Sequence, residues 1–173
     1  MPTNIALIRG VNVGGHNKVS MSALRELLES AGHTDVSTYI QSGNVVFTST
    51  KTVTPASLER AIDKEFGVDT TVMLRTRAQM KRILNANPFA DEDLKTVHVG
   101  FMASKPTAAA VRGLDTDRFA PDEFVIKGTE LYLHLPNGMG RTKLPAYLDR
   151  KLKVPTTVRN WNTVCKLLEL AGG

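Results

Sequence analysis

The sequence predicts an α+β protein of two tandem βαββαβ units joined by a helix. Two observations lead there. The order strand, helix, strand, strand, helix, strand can be read once before residue 76 and again after residue 95, which is the ferredoxin-like order with helices on one sheet face. The first strand, Asn4 to Arg9, also carries apolar residues on both pleat faces, Ile5 and Leu7 against Ala6 and Ile8, so the first sheet is expected to be covered twice. The expected division is a first unit over 1–75, a connecting helix and turn over 76–95, and a second unit over 96–173, together one compact globule.

Each element has a local reason. After the first strand a glycine-rich loop, Gly10 to Val19, leads to a helix capped by Ser20 and closed by Gly32, with Met21, Leu24, Leu27, Leu28 and Ala31 on its inner face. Val36 to Ile40 and Asn44 to Thr48 read as a hairpin turning tightly at Ser42-Gly43. Thr54 caps a second helix with Pro55 in its first turn and Gly67 as its stop, and Asp69 to Leu74 follows as a strand. A connecting helix from Thr76 to Leu84 opens on the capping box Thr76 to Gln79. The second pass is a strand over Thr96 to Met102, a short helix over Pro106 to Arg112, and a hairpin of Glu123 to Ile126 with Glu130 to Leu135. It ends in a helix over Lys143 to Leu152, a strand over Pro155 to Val158, and a terminal helix capped by Asn160.

Composition narrows the function classes. Among 173 residues, 42% are hydrophobic and 23% charged, as in an ordinary folded domain. The single cysteine, Cys165, excludes an internal disulfide and a multi-cysteine metal site, and helical spacing turns it inward. No run approaches the roughly 20 apolar residues of a membrane span, so the expectation is a cytoplasmic protein with no membrane partner. The formal charge of +5 is unevenly placed: Arg141, Lys143, Arg150, Lys151, Lys153, Arg159 and Lys166 face only Asp149 across 141–166.

Two long motifs carry a resemblance. Arg9-Gly10-Val11-Asn12-Val13-Gly14-Gly15-His16-Asn17-Lys18 and Tyr39-Ile40-Gln41-Ser42-Gly43-Asn44-Val45-Val46-Phe47 resemble a bacterial family known as domain of unknown function 1697 (DUF1697). Asn87-Pro88-Phe89 and Arg159-Asn160-Trp161-Asn162-Thr163 look like that family too, so the resemblance runs over essentially the whole chain. It implies two intertwined ferredoxin-like units, and no activity, cofactor or catalytic residue.

Two polar clusters are candidate sites. The glycine loop joins a strand to a helix, where free amides can hold an anion, but its spacing fits neither the Walker nor the dinucleotide pattern. Topology places Asn12, His16, Asn17 and Lys18 beside Gln41, Ser42 and Asn44, a group rich in donors and without a carboxylate base, and Arg9 is a further candidate ligand-binding residue. The other cluster is expected to gather Arg141, Lys143 and Arg159 as solvated cations near Asn160 and Trp161, suited to phosphate or carboxylate. Of the remaining histidines, His98 and His134 are expected to share one pleat face with Tyr132. No metal triad is suggested.

Three readings stand. The first is a module binding a phosphorylated small molecule, a nucleotide or nucleic acid through the glycine loop and the basic cluster, with no cofactor. The second is a small-molecule enzyme with His16 as acid or base beside Lys18 and Arg9. The third is a protein-interaction module. Composition decides neither among them nor the oligomeric state.

Overall fold

The computed structural model describes residues 1–173. Eight strands and six helices form two four-stranded antiparallel sheets. The chain divides into two compact units, Met1–Arg82 with Cys165–Gly173, and Ile83–Val164.

In the first unit, β1 (Thr3–Ile8) and β3 (Asn44–Thr48) occupy the centre of a sheet ordered β2-β3-β1-β4, with β2 (Thr34–Thr38) and β4 (Val72–Thr76) at its edges. Helix α1 (Met21–Ser30) starts where the Ser20 hydroxyl accepts the Ala23 amide. Helix α2 (Pro55–Phe66) starts in a reciprocal box between Thr54 and Ser57 and stops at left-handed Gly67. Helix α1 buries Met21, Leu24 and Leu28, and α2 buries Leu58 and Ile62, against one sheet face where Ala6, Ile8, Val45, Phe47 and Val72 complete the core. Each of the larger side chains contributes about 1.5–3 kcal/mol when fully withdrawn from water. Ile5 and Leu7, on the opposite pleat face, are also fully buried, so the two-sided expectation for this strand holds.

The connecting helix α3 (Arg77–Asn85) opens on the expected box: the Gln79 amide donates to Thr76 Oγ1 at 3.1 Å, and the Thr76 amide to Gln79 Oε1 at 2.8 Å. In the second unit, β5 (Val97–Met102) and β7 (Glu130–His134) are central in the order β6-β7-β5-β8, flanked by β6 (Glu123–Lys127) and β8 (Thr156–Asn160). Helix α4 (Ala108–Arg112) and helix α5 (Leu144–Leu152) follow β5 and β7, and α6 (Trp161–Leu170) closes the chain. Leu144, Leu148 and Leu152 of α5 form a core with Met102, Leu131, Leu133 and Leu135.

Three expectations are corrected. His98 pairs with Leu133, whereas Tyr132 pairs with Val99 and His134 with Val97, so His98 lies on the α5 face and the other two on the opposite face. Tyr132 there donates its hydroxyl to the Ile83 carbonyl at 2.6 Å, and burial, helped by Glu130, pushes the phenol up to about 12. The β2–β3 connection is longer than a two-residue turn: Thr38 is the last residue paired, with Val45, and the buried Asn44 side chain holds the Tyr39 carbonyl from within. Cys165 is exposed, because Val164, Leu167 and Ala171 form the buried stripe of its segment.

A repeat invisible in the composition emerges at the ends of the two sheets. Arg75 in β4 lies opposite Ile5, and Arg159 in β8 opposite Val99, both only 8% exposed. Each guanidinium donates to the carbonyl just before it, Leu74 at 3.0 Å and Val158 at 3.1 Å. The next residue in each case caps a helix, Thr76 for α3 and Asn160 for α6, whose Oδ1 accepts the Thr163 amide at 2.8 Å.

The burial of His98 makes a pH prediction. Burial holds its imidazole below the ordinary value of 6.5, outweighing an opposing Thr96 backbone contact, and its Nδ1 has no hydrogen-bond partner. The unfolded chain therefore binds protons that the folded chain refuses, so stability present above pH 6.5 falls as pH drops through that value. The melting temperature should fall between pH 7.5 and pH 5, and fall less in His98→Gln. Identical pH slopes for the two proteins would contradict the burial argument.

Candidate functional site

The glycine loop is a small, self-bonded hairpin. Gly14 and Gly15 both take positive φ, 56° and 78°, the pair a two-residue turn with strand-compatible twist demands, and Val13 bridges His16 around it. Asn12 and Asn17 are left-handed as well, a conformation asparagine tolerates best among residues with a side chain. Asn12 Nδ2 donates to the Val19 carbonyl at 2.9 Å and to the Gln41 carbonyl at 2.7 Å, while its Oδ1 accepts the Val19 amide at 2.9 Å. Asn17 Nδ2 donates to the Gly10 carbonyl at 3.2 Å. The expected contact between this loop and the β2–β3 turn is therefore present, through Asn12.

What these bonds leave outward differs from what they use. Asn12, Asn17 and Asn44 spend side-chain groups on the fold; Asn44, fully buried, donates to Tyr39 O at 3.0 Å and Ser42 Oγ at 2.8 Å. The Asn12, His16 and Val19 amides are bonded within the loop. Arg9, His16, Lys18 and Gln41 are exposed around it.

The second cluster separates. Arg141 and Lys143 are exposed and line a groove of about 490 Å³ together with Asn137, Thr142 and the segment Phe119–Asp122. Local sequence explains its shape. Gly138, at φ 83°, turns the chain out of β7 into a short 3₁₀ turn over Met139–Arg141, and Pro145 sits in the first turn of α5. The Thr142 hydroxyl donates to Asp122 Oδ2 at 2.5 Å and accepts the Leu144 amide at 3.0 Å, tying the helix start to the facing wall. That wall is held from behind by Tyr147, whose ring lies 4.9 Å from Phe119 and whose hydroxyl accepts the Asp115 amide at 2.9 Å. Arg118 sits 5.4 Å from each of the two rings.

Arg159 is not among the groove's lining residues. Its guanidinium is buried in β8, donating to Thr157 Oγ1 at 2.6 Å, and burial lowers it to about 10, so it remains charged at neutral pH. The expectation that it is a solvated cation is corrected: Arg159 shares the buried pleat face of β8 with Thr157, whereas Thr156 and Val158 on the other face are half-buried. Asn160 serves as the α6 cap, and Trp161 is half-buried at the first turn.

Sequence reasoning missed Phe119, Asp122, Asn137 and Thr142. Asn137 and Thr142 lie inside the expected basic loop and only needed its path. The wall from Phe119 to Asp122 has no periodicity that would have flagged it.

Two further cavities are lined by other residues. One of about 140 Å³ lies under α1 and α2; another of about 490 Å³ has Lys105, Lys151 and Lys153 at its rim. His16 lines none of the three. No helix is long and apolar enough to cross a membrane.

Comparison with known proteins agrees with the glycine-loop and hairpin motifs. No curated protein matches the chain. Among solved structures it is similar to the conserved bacterial protein SP0830 from Streptococcus pneumoniae, at 26% identity over 98% of each chain with a TM-score of 0.71. The family model described as "Protein of unknown function (DUF1697)" matches residues 1–132, which contain both motifs but stop short of Arg141 and of the Arg159 to Thr163 run. The chain belongs to the DUF1697 family.

Proposed function

We propose that the protein is a binding module for a phosphate-bearing small molecule, most simply a nucleotide, held in the groove of Arg141 and Lys143. The observation that carries this reading is the pairing of these two exposed cations on one wall with an aromatic and proline wall, Phe119 to Pro121, opposite. Phosphate oxygens favour the guanidinium fork and the ammonium, and the start of α5 adds the positive end of its dipole. A flat base can lie on the apolar wall. The volume of about 490 Å³ suits a small molecule, and groove carboxylate Asp122 is engaged by Thr142, which favours binding over acid–base chemistry.

The same reading treats each unit as a ferredoxin-like module, supported by the matching strand orders β2-β3-β1-β4 and β6-β7-β5-β8. The glycine loop, with Arg9, His16, Lys18 and Gln41 exposed, enters as a second anion contact of the same protein. Its bonded amides make it the weaker one.

A thermal-shift screen of nucleoside mono-, di- and triphosphates tests this directly, because a ligand selective for the folded state raises the melting temperature. A nucleotide should stabilise the wild type and leave Arg141→Gln/Lys143→Gln unshifted. Stabilisation of both proteins alike would place the ligand elsewhere, and no shift with any nucleotide would remove the proposal.

A further inference from the structure

The first unit holds a space that the anion-binding reading does not use. It is the cavity of about 140 Å³ between α1, α2 and the sheet, walled by Leu24 and Leu28 on one helix and Leu58 and Ile62 on the other, over a floor of Ile8 and Val72. Among these large side chains, three alanines leave the space open. Ala6 stands in the floor between two larger neighbours, Ala61 faces it from α2, and Ala31 ends α1 beside it. Atoms around such a void lose dispersion partners, so a well-shaped apolar guest restores contacts without displacing bound water.

The space has an entrance and one polar handle. Ala31 is exposed, and Leu27, Ser57 and Ala61 are half-buried, which leaves an approach between the two helices. Ser57 is occupied: its hydroxyl donates to the Thr54 carbonyl at 2.7 Å and accepts the Thr54 amide at 3.3 Å. His33 also lines the cavity, its ring 4.8 Å from Phe47, and its buried Nδ1 has no hydrogen-bond partner in the protein. Burial, and then Lys51, keep this imidazole below its ordinary value, hence neutral at pH 7.

We propose that this cavity is a binding site for a small, flat, largely apolar molecule bearing one hydroxyl or N–H, its ring between α1 and α2 and its polar group at His33. The size commits the proposal to about one six-membered ring, since a dry cavity of roughly 150 Å³ admits benzene. The site lies within the first unit and is independent of the Arg141 groove.

The test uses phenol and toluene, which are alike in size and differ in the hydroxyl, titrated into the full chain and followed by NMR at the Leu24, Leu28 and Ala61 methyls. Both should bind saturably, phenol more tightly by roughly threefold to tenfold, the value of one hydrogen bond. Ala61→Leu fills the space and should weaken both probes by at least about tenfold without lowering the melting temperature. Should that variant fail to fold, Ala6→Val fills the same cavity from the floor and should have the same effect on binding. His33→Phe should keep toluene binding and abolish the preference for phenol. Absence of saturable binding to the wild type, or unchanged affinity in the folded filled variant, would overturn the site. Equal affinity for the two probes in the wild type, or a phenol preference surviving in His33→Phe, would overturn the role of His33.

Discussion

Replacing Gly43 by alanine is expected to destabilise the protein by roughly 2–4 kcal/mol, the sum of a left-handed backbone penalty and an overpacked core. Gly43 has φ 87°, and a Cβ there would lie 2.6 Å from Val11 Cγ2, 3.0 Å from Ile8 Cβ and 3.1 Å from the Ile8 carbonyl oxygen. Neither neighbour can give way. Val11 and Ile8 are themselves buried, and the Ile8 amide is bonded to the Gly43 carbonyl at 2.8 Å, so the turn cannot back off without losing its hold on β1. For a chain of this length each kcal/mol moves the melting temperature by about 2–4 °C, so thermal denaturation resolves the loss easily. Gly14→Ala serves as the control: its Cβ would meet only the His16 ring at 3.9 Å, leaving the backbone penalty alone. Equal losses for the two would mean that the glycine loop and the β2–β3 turn are not packed as described.

Truncating Arg159 to alanine should cost about 2–4 kcal/mol, because a buried, hydrogen-bonded side chain is removed and the space is left unfilled. The Thr157 hydroxyl and the Val158 carbonyl both lose a charged donor. Arg141→Ala, by contrast, removes an exposed cation and should change stability by less than about 0.5 kcal/mol. Comparing the two by urea denaturation separates the structural arginine from the one assigned to ligand. If Arg159→Ala is as stable as the wild type, its guanidinium is not the internal tie that the geometry indicates.

Why one arginine was legible and the other was not follows from what sequence encodes. Caps and stops are local, so Ser20, Thr54 with Pro55, Gly67, Thr76 with Gln79, and Asn160 could be read directly, and each is found at its place. The order of elements could be read for the same reason. Alternation along a strand is also local, but it only sorts residues into two sets. Which set of β5 shares a face with which set of β7 depends on register, and there the placement of His98 with Tyr132 and His134 failed. Arg159 failed similarly: threonines and valine around one charge read as an edge strand, which β8 is, but sequence does not say that its arginine lies on the buried pleat face with Thr157. Cys165 was one helical step off phase, beside Val164 rather than under it. The groove combined both cases: Arg141 and Lys143 stood out as charge, whereas Phe119 and Asp122 reach them only through the path of an irregular segment.

The most direct measurement is the affinity of a nucleoside triphosphate for the wild type and for Arg141→Gln/Lys143→Gln, titrated calorimetrically at increasing salt. Charge–charge attraction between exposed groups is screened over about 10 Å at 0.1 M ionic strength and about 3 Å at 1 M. Wild-type affinity should therefore be measurable at low salt and fall steeply as salt rises, while the double variant, folded and with an unchanged melting temperature, should bind at least about tenfold more weakly with a flatter salt dependence. Binding that is insensitive to salt, or equal in the two proteins, would contradict the assignment of the Arg141 and Lys143 groove as a phosphate site.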